Sequence, residues 1–465
     1  MADPSSFSSS PKLVYFVLIP LLMLSALVIL LNQKPSASFS WPPQPLSYTP
    51  ASATTIVEDQ PPPPPPPPPP VVESMRKHVD SDKLDMVEAS LAKARANIHE
   101  AQRNNESSDD ADYVPQGPFY RNPNAFHRSY LEMENTLRFY IYEEGEPPLF
   151  HYSKSLGILG IEGIIIHQME ISKFRTRDPQ KAHLFLVPLS VQSIVAYAYV
   201  RHNRAWDPLQ NIARDYINLI STNHPYWNRT LGHDHFIIGC HDWTPTVSRG
   251  VAHLYKNSIR VLCNANTSEG FKPETDVSMP EIHLPEGTTE GLIGGPGAEN
   301  RSILVFYAGG IHGYIREVLM EKWRNRDKEV QVHEYLPKSM SYYGMMRRSK
   351  YCICPSGWEV ASPRMVEAIY MGCVPLLLKD HYAKPFDDVL DWTKFAVEVE
   401  VKDIPNLKNI LKAIPPHRYV EMQRNGVKVR RHFEVNFPPR RYDVFHMILH
   451  SVWLRRINLQ LHHAH

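Results

Sequence analysis

Five cysteines in 465 residues (Cys240, Cys263, Cys352, Cys354 and Cys373) are too few to staple a disulfide scaffold, and the odd count leaves at least one thiol free. Cys352 and Cys354 stand one residue apart in an apolar run. They point to one face of a strand and read as core thiols rather than a bridge or a metal pair. A surplus of charge is also missing: 50 Lys plus Arg nearly cancel 49 Asp plus Glu, which excludes the global basic field that gathers nucleic acid. There is no internal repeat, and neither a Gly-Lys-Ser/Thr phosphate loop nor a dinucleotide fingerprint occurs, so ATPase and dehydrogenase readings fail. No Asp-x-Asp pair follows an apolar strand, since Asp110-Ala-Asp112 lies upstream of the first one.

What is present begins with hydrophobic mass: 43% of the residues, enough for two ordinary domains. Leu13 to Leu31 holds no charged residue and is long enough to span a bilayer as a helix, which Pro20 can kink without forbidding. It exceeds a signal-peptide core and lacks a nearby cleavage pattern, so residues 1–12 are expected to be a cytosolic tail and 13–31 an uncleaved membrane anchor. Lys12 and Lys34 flank it symmetrically and leave its orientation open. The sequons at Asn105, Asn228, Asn266 and Asn300 all follow the anchor and favour a body in the secretory lumen, glycosylated there.

Many of the 42 prolines crowd the N-terminal part, ten of them consecutive from Pro61 to Pro70. Residues 32–112 therefore read as a stem, extended at about 3 Å per residue where polyproline II forms. Leu84, Val87, Leu91 and Ile98 recur at helical spacing and predict a stalk helix able to self-associate. From Tyr113 onward short apolar runs alternate with helical segments. Strands are expected at 137–142, 183–188, 235–239, 259–262, 303–308, 330–333, 351–354 and 374–378, the pattern of α/β layers on mostly parallel sheets. The Gly/Pro-rich stretch from Leu284 to Glu299 divides them into an N-terminal domain (113–295) and a C-terminal domain (296–465), facing each other across a cleft. The basic helical end closes on a His-rich tail that reads as surface.

In such sheets ligands sit beyond the carboxyl ends of strands, and three strand exits carry unusual residues. "ILVFYAGGIHGYIR" places Gly309, Gly310 and Gly313 before a helix with Arg316 one turn in; it is either a diphosphate cradle or a plain tight turn. "CPSGWEVASPRMVEAIYMG" turns out of a strand at Ser356 and Gly357. It restarts as a helix capped by Ser362-Pro363, with Arg364 and Glu367 on one face. A carboxylate matches a vicinal ribose diol and an arginine neutralises a leaving phosphate; the bland reading is a surface ion pair. "GHDHFIIGCHDWTP" opens onto His241, Asp242 and Trp243, a general base beside a ring that stacks on sugar, or a structural His-Asp pair. The spacing of His233, Asp234, His235 and His241 matches no common metal signature.

These stretches, with "IRVLCNANTSEGFKPETDVSMPEIHLP", closely resemble the exostosin-like glycosyltransferases of family 47, plant branch, from about Tyr113 to Trp453. The sequence departs from the pattern at Thr244 and Trp358. The resemblance implies a single-pass type II Golgi membrane protein whose GT-B-like region, two Rossmann-like domains, lies in the lumen. It implies inverting transfer of a sugar, a hexose or pentose, from a nucleoside diphosphate sugar to a cell-wall polysaccharide, without nucleic acid. Gly309, Gly310, Arg316, Ser356, Gly357, Arg364 and Glu367 map onto donor binding, and Asp242 with His241 onto catalysis. No obligatory metal or cofactor is expected beyond the donor substrate. Homo- or hetero-oligomers with other transferases fit the resemblance. A non-catalytic scaffold or a sugar-binding member of the same fold is the alternative.

Overall fold

The computed structural model describes residues 70–104, 110, 112–144, 151–201 and 205–459, with side chains from residue 83. The expected anchor, nearly all of the polyproline run, Asn105 and the His-rich tail lie outside the described residues. Among those described, no helix is long and apolar enough to cross a membrane.

Two five-stranded parallel sheets form the body. The first pairs β1 (Phe139–Ile141), β2 (Leu184–Leu186), β3 (His235–Gly239), β4 (Ile259–Leu262) and β5 (Val277–Ser278) in simple chain order. The second has the order β10-β9-β8-β6-β7, from β6 (Ile303–Ala308), β7 (Val330–His333), β8 (Ser349–Pro355), β9 (Val374–Leu378) and β10 (Val397–Glu398). Every pairing is parallel, and β3, β4 and β9 are buried along their whole length, as strands covered on both faces must be. The two-residue strands β5 and β10 are edges that apolar periodicity does not reveal.

In the second sheet the chain leaves β6 for β7 on one side and returns to β8 on the other. That reversal separates the outgoing connections and opens a crevice at the carboxyl ends of β6 and β8. The first sheet, wound without reversal, has no such internal crevice.

Helix α1 (Pro70–Asn104) does not stand off as a self-associating stalk. Its stripe of Leu84, Leu91, Ala94 and Ala101 is buried against α2 (Pro123–Thr136) and the last helix, α8 (Val444–Asn458). Arg95 Nε donates to the Ile457 carbonyl at 2.7 Å, and Asn97 Nδ2 donates to Glu132 at 3.0 Å. The apolar face that would have joined a second chain is already covered by this one. Helix α8 crosses back to the first sheet, where Arg455 Nε donates to the Asp276 carbonyl at 3.0 Å and Arg456 Nε to the His183 carbonyl at 2.8 Å. One apolar cluster runs without a break from Phe139, Ile238 and Val261 through Trp453 to Phe306, Met365 and Trp392.

The cysteines depart from expectation. Cys352 bonds to Cys373 and Cys240 to Cys263, leaving Cys354 free and buried. Cys352 finds its partner from further along the chain: helix α6 (Arg364–Tyr370) turns the chain back and delivers Cys373 beside β8. The sequon at Asn266 also fails as a glycan site. Its side chain is 8% exposed and caps a short turn, accepting from the Ser268 backbone N–H at 3.0 Å.

Candidate functional site

The crevice of the second sheet gathers all seven predicted donor residues. At the exit of β6, Gly313 sits at φ +82° and starts α5 (Tyr314–Trp323) with no side chain capping its first N–H groups. A Cβ on Gly313 would lie 2.2 Å from the Gly357 carbonyl oxygen, so the loops after β6 and β8 interlock where only glycine fits. A Cβ on Gly309 would meet Arg364 Nη2 at 2.4 Å. Arg316, 7% exposed, donates from Nε to the Ser356 carbonyl at 3.1 Å and from Nη1 to that of Gly310 at 3.4 Å. It therefore clamps the two loops together and leaves its remaining donor face on the crevice.

Arg364 and Glu367 are not an ion pair. Arg364 Nη2 donates to the Ala308 carbonyl at 3.3 Å while its guanidinium lies over the Tyr307 ring at 5.3 Å. Glu367 accepts from the Tyr342 hydroxyl at 2.8 Å and stands 3.4 Å from His283 Nδ1. The expected Ser362 cap is absent as well: Pro363 occupies that position in helical geometry, and Ser362 Oγ is buried without a partner. Ser356 Oγ, Arg364 Nε and Tyr307 Oη share that condition. Buried polar groups without partners are costly, and those at this crevice are placed where a polar ligand would complete them. Lys379, at the exit of β9, is the third cation here; burial pushes its ammonium down to about 8, and its Nζ donates to the Val360 carbonyl. Among the described residues Arg316, Arg364 and Lys379 form no ion pair.

Facing these cations is the exit of β3, held by the Cys240–Cys263 bridge to the end of β4. His241 Nδ1 accepts from the Trp243 backbone N–H at 3.1 Å, which leaves Nε2 as the protonated donor of a neutral ring. Burial pushes this histidine down to about 4. The imidazole is thus left with a free hydrogen-bond donor rather than a base. Asp242 is open to solvent, with its carboxyl raised by desolvation and then by Glu269. Trp243 packs edge-on against Tyr199 and Trp206, ring centroids 4.8 and 4.9 Å away, in an aromatic shelf beside the two residues. Asp234 and His235, whose spacing matched no common metal signature, lie at the opposite end of β3. There Asp234 accepts from Thr230 at 2.6 Å and pairs with Arg229 at 3.1 Å, a structural use. Among the described residues no cluster of His, Cys, Asp and Glu is arranged as a metal site.

Two acids escaped the sequence reading. Glu281 follows the edge strand β5, and burial followed by the nearby Asp242 carboxylate pushes it up to about 8. Glu359, in the loop after β8, is pushed up to about 7 by burial and accepts from Asn264 Nδ2 at 2.8 Å, tying the two layers together. The signal for Glu281 was a lone carboxylate after a run too short to show strand period. The signal for Lys379 was a cation directly on a strand exit.

A switch-point crevice lined by cations without acidic partners, opposite an acidic and aromatic wall, marks a parallel α/β protein with a crevice suited to an anionic ligand. The Exostosin GT47 domain matches residues 133–414, and the chain belongs to that family of glycosyltransferases. It is 54% identical over 391 residues to a probable glycosyltransferase of Arabidopsis thaliana, covering 84% of this chain and 75% of the relative. It is 29% identical to a probable beta-1,4-xylosyltransferase of the same plant, over 60% of this chain and 71% of that one. A probable glucuronosyltransferase of Oryza sativa subsp. japonica is 28% identical, over 62% of this chain and 73% of that one.

Proposed function

We propose that the chain is an inverting glycosyltransferase that moves a hexose or pentose from a nucleoside diphosphate sugar, UDP-linked, to a cell-wall polysaccharide. Its architecture in this reading is GT-B-like, with the donor on the second layer and the acceptor on the first. What carries the reading is the meeting, in one crevice, of Arg316, Arg364 and Lys379 without acidic partners, the uncapped start of α5, and unpartnered polar atoms on Ser356 and Tyr307. That set suits a diphosphate, whose charge it neutralises as the sugar departs. Glu367 offers its free lone pairs to the ribose, and Gly309, Gly310 and Gly357 let the backbone approach the phosphates. His241 and Asp242 hold the acceptor hydroxyls while Trp243 stacks beneath a sugar ring. Because the cations already supply the charge a metal would, transfer is expected to persist in chelator.

The same reading places the protein in the Golgi membrane through residues 13–31, body lumenal and glycosylated at the exposed Asn228 and Asn300. Two disulfides favour an oxidising compartment. The test is calorimetry with UDP on the detergent-solubilised full chain, followed by a screen of UDP-sugars for nucleotide release with xylan and other wall oligosaccharides. Micromolar UDP binding and acceptor-dependent release are expected. A chain that binds no nucleotide would be the non-catalytic relative instead.

A further inference from the structure

The cleft contains one carboxylate on the acceptor side that is neither exposed nor engaged. Glu281 is 8% exposed, and among the described residues its carboxylate makes no hydrogen bond or ion pair. A carboxylate buried for structural reasons alone is satisfied by donors, as Glu162 is by Ser190 at 2.7 Å and the Cys240 backbone N–H at 2.7 Å in this same layer. Glu281 lies between two contacts to the second layer, Ser278 Oγ donating to the Ala383 carbonyl at 2.6 Å and His283 Nδ1 standing 3.4 Å from Glu367, and the charges that act on it belong to Asp242, Lys379, Arg364, Glu367 and Arg316. Tyr382, whose hydroxyl is buried beside Ser278, completes that surround. It is the point at which the acidic wall and the cationic crevice meet.

We infer that Glu281, rather than Asp242, is the general base that takes the proton from the acceptor hydroxyl, an inference that rests on the transferase reading above. In the step, the acceptor O–H bond breaks and its proton passes to a Glu281 oxygen. The acceptor oxygen bonds to the anomeric carbon as the bond from that carbon to the phosphate oxygen breaks. The electron pair leaves with the nucleoside diphosphate, held by Arg316 and Arg364, and Glu281 later returns the proton to water. Burial with a like-charged neighbour raises its proton affinity toward neutrality, which suits a base working near that pH; the Asp242 carboxyl is raised as well, but that residue stands more open to solvent. His241 cannot compete, since its Nδ1 is occupied and its Nε2 is a donor.

The test uses the full chain with the donor and acceptor pair found in the screen. Glu281→Gln is expected to lower kcat by about 10²–10⁴-fold, the usual share of general base catalysis, while UDP affinity stays within about threefold. Wild-type kcat should rise with pH through a limb near neutrality. Glu281→Gln should flatten that limb, Glu281→Asp should keep it at lower rate, and Asp242→Asn should keep it but move it to lower pH, because the neighbouring carboxylate that raises Glu281 is gone. A Glu281→Gln enzyme within fivefold of wild type, or a limb abolished by Asp242→Asn instead, overturns the assignment. So does loss of UDP binding in both Glu281 variants, which would mark a structural role. If wild type itself binds no UDP, the transferase reading falls and takes this one with it.

Discussion

The two sheets have the same number of strands, all parallel, and differ in winding and in charge. The first, laid down in chain order, ends its strands in a carboxylate, a neutral imidazole and a shelf of aromatics. The second, wound around a reversal, ends its strands in glycines and arginines. Winding decides where a crevice exists, and composition at the exits decides what it can hold. In the proposed reading, a transfer between two substrates of unlike charge is divided between two walls, one for phosphate and one for sugar.

The strongest way to break this division is to remove a cation. Arg364→Ala should slow transfer by about 10²–10³-fold, the cost typical of losing one donor aimed at developing negative charge, with a smaller change in UDP affinity. Glu367→Ala should do the reverse, weakening UDP binding more than kcat; steady-state kinetics beside calorimetry would separate them. Equal effects of both would make the pair a single structural unit.

Next in size is the covalent frame of the first wall. Cys240→Ser with Cys263→Ser should cost about 3 kcal/mol of stability by the loop-closure argument, read as a lower denaturation midpoint. Because the bridge fixes the exits of β3 and β4, activity should fall more than UDP binding.

Acid should tell the layers apart as well. Burial pushes His183 down to about 4, His432 down to about 3 and His450 down to about 4, from an ordinary 6.5. Their folded affinity for protons is depressed, so the stability they contribute is full above about 6.5 and is lost as the pH falls toward 4. Chemical denaturation should show the midpoint dropping between pH 7 and 5. His432→Gln, which keeps a donor and an acceptor near Tyr442 and Tyr120, should lessen the drop.

The smallest effect sharpens the comparison. Trp243→Ala should raise the acceptor KM about five- to tenfold, for roughly 1 kcal/mol of lost aromatic contact, and leave UDP affinity unchanged. A change in UDP affinity would mean that the shelf serves both walls.

Much of the α/β pattern was legible. The runs at 235–239, 259–262, 303–308, 330–333 and 374–378 coincide with β3, β4, β6, β7 and β9: the central strands are mostly apolar, and the edge strand β7 alternates buried and half-buried residues. The strands β5 and β10 were not, since two residues carry no period. The exits holding Arg316, Arg364 and Glu367 stood out through glycine and charge after an apolar run. What was hidden depends on three dimensions: that Arg364 and Glu367 take different partners, that Cys352 meets Cys373, and that Glu281, just after an edge strand, is buried without a hydrogen-bond donor. Local spacing says which residues share a helix face, but only packing says what each side chain reaches.

The apolar cluster that runs from Phe139 through Trp453 to Trp392 has a consequence for turnover. Swinging the two layers apart would pull that mass into water, so the gap between the walls is a built dimension, closer to a fixed gauge than to a pair of tongs. An acceptor chain would then be sorted by thickness as well as by contacts, with a bulky side branch refused at the mouth before any hydroxyl is read.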